Sequence, residues 1–131
     1  MPPFKNFTTK AKEAIRKAHE LAIERGQNHV SPLHLLAALI HQEESMVFSV
    51  LDRMDIDTML LADTVLETLE APESNATLSP SYQLYLTPDL AQGLESAGKI
   101  AARMNDSFIG TEHLFVAVLE NSLHLFVLLV A

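Results

Sequence analysis

The sequence contains no cysteine, which removes disulfides, thiolate nucleophiles and cysteine-ligated zinc in one step and fits a reducing compartment. Positive charge is scarce: 9 Lys and Arg stand against 17 Asp and Glu, a formal net charge of -8. Phosphate binding is driven by clustered Lys and Arg, so this balance argues against nucleic acid as the main partner. Glycine and proline are few, 4 and 6, in a chain rich in Leu, Ala and Glu, which points to helices. Long apolar runs are lacking too. Met1 to Lys12 has no apolar core of a secretory leader, and Leu123 to Ala131 is far short of the roughly 20 residues of a membrane span. What remains is one cytoplasmic domain without a membrane partner, 131 residues long and 48% apolar. A chain of this size buries about 65% of its unfolded surface.

An internal repeat organises the chain. An ungapped shift of 79 residues carries Thr8 onto Thr87, Ala18 onto Ala97, Ala22 onto Ala101, His34 onto His113, Leu35 onto Leu114 and Ala38 onto Ala117. The pairs Ile15/Leu94, Leu21/Ile100, Val30/Ile109 and Leu39/Val118 keep apolar character. These positions fall on one face at helical spacing.

Capping chemistry sets the expected boundaries. Thr8 and Thr87 are N-caps and Pro88 takes the first helical position, where a missing N–H costs nothing. Gly26 ends the first helix, and Ser31 with Pro32 opens a second that runs to about His41. Met46 to Met54 mark a third helix and Ala62 to Leu69 a fourth. The pattern predicts repeat one over about 7–70, a linker over about 71–86 and repeat two over about 87–131. The second repeat lacks a counterpart to Ala62–Leu69 and is therefore truncated. Its end, Leu125 to Val130, has almost no polar face. That segment is expected to pack on the first repeat or in a dimer contact, unless it is the product of a truncated or altered reading frame.

The two repeats resemble the double Clp-N repeat, the amino-terminal domain of the Clp ATPase chaperones. The residues that carry the resemblance are Phe7-Thr8, the run Val30-Ser31-Pro32-Leu33-His34-Leu35-Leu36-Ala37-Ala38-Leu39, and Phe108-Ile109-Gly110-Thr111-Glu112-His113-Leu114. Pro-Leu-His-Leu looks like the ClpB disaggregase branch; Gly-Thr-Glu-His-Leu is similar to the ClpA and ClpC branches as well. The resemblance implies an all-α, pseudo-twofold bundle of two four-helix Clp-N motifs that carries no catalysis. Such a domain docks unfolded substrates or adaptors and passes them to the ATPase hexamer, whose motor domains this chain lacks. It implies protein-binding roles for Thr8, Asp106 and Glu112, beside the exposed apolar Phe108. Glu112 also matches one of two acidic positions that grip phosphoarginine in the ClpC branch, but the other corresponds to Leu33, which has no carboxylate.

Other chemistries have weaker support. Gly93-Leu94-Glu95-Ser96-Ala97-Gly98-Lys99-Ile100 comes within one residue of a phosphate-binding loop, but Ile100 offers no hydroxyl to Mg²⁺ and the segment lies inside a predicted helix. Its glycines are instead expected to permit tight helix contact. His29, His34 and His41 lack metal-ligand spacing, and the recurrence of His34 as His113 suggests imidazoles hydrogen-bonded to backbone. Asp52, Asp55 and Asp57 read as a solvated face. No cofactor is expected. A substrate- or adaptor-docking domain is the leading reading, ahead of a stand-alone accessory protein that binds a Clp complex and of a small metal- or nucleotide-dependent enzyme.

Overall fold

A computed structural model describes residues 6–42, 46–70 and 85–121. Among them run α1 (Thr9–Glu24), β1 (His29–Val30), α2 (Pro32–His41), α3 (Met46–Arg53), α4 (Thr58–Glu70), β2 (Tyr85–Leu86), α5 (Pro88–Arg103) and α6 (Thr111–Asn121). The expected linker thus ends in a short strand. The apolar tail from Leu125 to Val130 lies outside the described residues.

The helix ends form as the capping residues dictate. Thr8 Oγ1 accepts from the amide of Ala11 at 3.1 Å, and Thr87 Oγ1 from that of Leu90 at 3.2 Å. Each such cap stabilises its helix by about 0.5 to 2 kcal/mol. At the other end, Gly26 (φ 68°) and Asn105 (φ 59°) take the left-handed conformation, one residue past Arg25 and Met104. The next amides reach back, Gln27 N–H to Ala22 O and Asp106 N–H to Ala101 O, both at 2.9 Å. Asp55 (φ 58°) closes α3 in the same manner. α4 begins a turn earlier than its apolar spacing suggests, because the Asp57 carboxylate accepts from Leu60 N–H at 3.1 Å. Asp57 is therefore an N-cap, not simply part of a solvated face.

Two cross-connections join the repeats and give the pseudo-twofold relation its most direct expression. β1 and β2 pair in parallel, with Val30 opposite Leu86, and an isolated parallel bridge joins Phe7 to Ile109. The 79-residue shift converts one pair into the other: Val30 becomes Ile109 and Phe7 becomes Leu86. The bonds are equivalent as well, Thr87 N–H to Val30 O at 3.0 Å and Thr8 N–H to Ile109 O at 2.9 Å. The start of each repeat is thus stitched to the interhelical loop of the other.

α1 packs mainly on α2 and α5 on α6, and the halves meet chiefly through α2 and α6. The reason lies in α2, whose residues from Pro32 to Ile40 are all buried. A helix that is apolar all round belongs at the centre of a bundle. Leu35, Leu36, Leu39, Val47, Leu51, Val65, Leu114 and Val118 form the fully buried interior around it. The glycines of α5 do not serve tight contact: a Cβ at Gly93 would meet nothing within 4 Å, and one at Gly98 would make an ordinary contact with Ile109.

Candidate functional site

The loop between the first two helices of each repeat is held by its histidine. His34 Nδ1 accepts from Ser31 N–H at 3.0 Å and lies 2.8 Å from Ser31 Oγ, so the Ser31 hydroxyl turns to the ring. With Nδ1 accepting, Nε2 carries the proton and donates to Gln27 Oε1 at 2.6 Å. In the second repeat His113 Nδ1 accepts from Gly110 N–H at 2.8 Å and Nε2 donates to Asp106 Oδ2 at 2.8 Å. Gln27 and Asp106 are equivalent under the shift, as are Ser31 and Gly110. Both rings are buried. Burial, followed by the nearby charges of His29 and Arg25, lowers the pKa of His34 from 6.5 to about 4.

The Phe7–Ile109 stitch brings Thr8 to the N-terminus of α6 and opens a hollow of about 390 Å³ between the repeats. Thr8 and Glu112 both line it, joined by Lys10, Gly110 and Thr111 and, from α3, by Met46 and Ser49. Glu112 sits in the first turn of α6, where the helix dipole favours a carboxylate. Its side chain folds back over Gly110, so that a Cβ there would collide with the carboxylate, and it stays 43% exposed. The Thr8 hydroxyl accepts from Ala11 and keeps its own hydrogen to donate.

Two of the four candidate residues thus share the hollow. Asp106 does not line it; its carboxylate is engaged by His113, though the side chain is 46% exposed. Phe108 is not in the lining either and projects 55% exposed, one residue from the Ile109 that bonds Thr8. The sequence reading missed Lys10, Gly110 and Thr111 as lining residues. The repeat offered a signal for them, because their equivalents are Asp89, Ser31 and Pro32: the copies diverge at the hollow while agreeing in the scaffold.

Other chemistries find little to work with. The Gly93–Lys99 segment lies wholly within α5, with Lys99 paired to Glu95 on the surface, so no phosphate cradle of loop amides exists. Among the described residues no group of three or more His, Asp or Glu converges as a metal site, and no helix is long and apolar enough to cross a membrane.

Fold and hollow together define a small helical tandem-repeat domain with an open surface site between its halves. The chain belongs to the family of the Clp repeat (R) N-terminal domain, whose model matches residues 6–130. It is 33% identical over 116 residues to the chaperone protein ClpB of Bacillus cereus and 34% identical over 116 residues to ClpB 1 of a Nostoc species. Those alignments cover 87% and 88% of this chain but 13% of each relative, so the chain spans about an eighth of their length. In structure it resembles the Hsp104 N-terminal domain from Candida albicans, with a TM-score of 0.82, 26% identity, and coverage of 95% of this chain and 79% of the other.

Proposed function

We propose that this is a non-catalytic docking domain, acting in the cytoplasm, that captures unfolded proteins or adaptors and delivers them to the ATPase ring of a Clp-type chaperone. The observation that supports this reading best is the meeting of Thr8 and Glu112, from opposite repeats, in one open hollow. An enclosed apolar pocket suits a small molecule; an open hollow with a hydroxyl, a carboxylate and an ammonium in its lining suits a chain passing over the surface. Met46 supplies apolar contact, Glu112 reads amides or cations, and Thr8 donates to a carbonyl. Phe108 extends the apolar area beside the stitch. Asp106 acts from behind, by holding His113 and through it the amide of Gly110.

Titrating a reduced and alkylated unfolded protein against the parent and against Thr8→Ala, Asp106→Ala and Glu112→Ala tests this. Weaker binding by Glu112→Ala at nearly unchanged melting temperature is expected, because a lost first-turn acid costs about 0.3 to 1 kcal/mol. If all three variants bind as the parent does, these residues serve capping and loop structure alone and the docking surface lies elsewhere.

A further inference from the structure

α3 separates two concavities. Met46 and Ser49 help to line the Thr8–Glu112 hollow, whereas Phe48 borders a second concavity of about 250 Å³ between α2, α3 and α4. The buried Ile40 and Ala62 form the floor of this second site. Phe48 and Met59, 47% and 78% exposed, rise beside it, His41 and Asp63 complete the rim, and Thr58 is buried. Leu60 on α4 and Met54, one residue past the end of α3, are also exposed, at 63% and 58%. Large apolar side chains held in water around a concave floor mark an interaction surface. Methionine adapts its shape to differing side chains, which suits a site that accepts more than one sequence.

Charge distinguishes the occupant. Asp63 lines the concavity, and Asp52, Asp55, Asp57 and Glu67 are also exposed on α3, α4 and their connection, against a single Arg53. None of these five carboxylates has an ion-pair partner among the described residues. A second copy of the chain, at a net charge of -8, is repelled by such a surface. We propose that the α3–α4 face docks a basic amphipathic segment of another protein, with a Leu or Phe entering between Phe48 and Met59 and flanking Lys or Arg residues facing Asp63 and its acidic neighbours. The site is separate from the Thr8–Glu112 hollow and does not depend on it. The acidic surround speeds encounter and makes it salt-sensitive, while the apolar anchor sets the lifetime of the complex.

The test uses a short amphipathic Leu/Lys peptide carrying one Trp, and its Leu/Glu counterpart. The chain has no Trp, so indole fluorescence reports the peptide alone. The Leu/Lys peptide binds and weakens with added salt, and the Leu/Glu peptide does not bind. Met59→Lys and Asp63→Lys, both at exposed positions and checked for native circular dichroism, each weaken the Leu/Lys peptide by about tenfold. Neither alters binding of the unfolded model protein at the Thr8–Glu112 hollow. Equal binding of the two peptides, or parental affinity in both variants, overturns the proposal. So does loss of the peptide on Glu112→Ala but not on Met59→Lys, which assigns it to the first hollow, or a dimer dissolved by Met59→Lys, which makes a second copy the occupant.

Discussion

The two interhelical loops share one skeleton and differ in what they present. In both, a left-handed residue ends the long helix, a side chain seven positions before the histidine accepts from its Nε2, and the amide three positions before it donates to its Nδ1. The first loop fills this pattern with Gln27, Ser31 and His34; the second fills it with Asp106, Gly110 and His113. Around that constant frame, Leu33 is buried in the first repeat where Glu112 faces the hollow in the second, and Asp89 stands where Lys10 does. The frame repeats because folding requires it. The surface differs because Glu112 and Lys10 stand at the Thr8 hollow where Leu33 and Asp89 stand at the equivalent positions.

The largest expected effect breaks the symmetry of the stitches. Phe7 is 7% exposed and its equivalent Leu86 is only half-buried. Phe7→Ala should cost about 3 to 5 kcal/mol, against less for Leu86→Ala, read as shifts in urea midpoint at constant slope. Equal losses would mean that the two stitches are energetically alike.

The next effect is a pH limb belonging to the first loop. The folded pKa of His34 lies near 4, below the unfolded value of 6.5, so between these values the unfolded chain binds the more protons. Stability therefore declines as pH falls through that window and the decline ends below about 4. Gln27→Glu, which copies the carboxylate of the second loop, should raise the pKa of His34 and shrink the decline in melting temperature. An unchanged limb would show that another group produces it.

A smaller effect separates capping from docking. Thr8→Ala and Thr87→Ala should each lower stability by about 1 kcal/mol, since both hydroxyls accept the same kind of amide bond. Binding of unfolded protein should fall only for Thr8→Ala. A matching loss for Thr87→Ala would make binding a consequence of stability.

Much of this was legible in the residues. The 79-residue shift located both histidine loops, and Thr8, Ser31, Thr87 and Pro88 placed helix starts to within a residue or two. Asp57 was passed over because an N-cap aspartate and a solvated one look alike until the turn behind it is seen. The central place of α2 was readable in principle from Leu33 to Ile40, but amphipathic periodicity draws attention to helices with one polar face, and α2 has none. Strand pairing between Phe7 and Ile109 joins residues a hundred positions apart, and one-residue bridges leave no pattern of alternation. The hollow followed from that pairing, so Thr8 and Glu112 could be named as candidates without Lys10 and Thr111 being seen beside them.

The central claim is that docking occurs at one of the two equivalent corners. Amide chemical-shift mapping on the isotope-labelled chain, with and without the reduced and alkylated unfolded protein, tests it directly. The account predicts concentration-dependent shifts at Thr8, Lys10, Gly110, Thr111 and Glu112, and none above background at the equivalent Thr87, Asp89, Ser31 and Leu33. Shifts of the same size at both corners, or at the second corner alone, would contradict it.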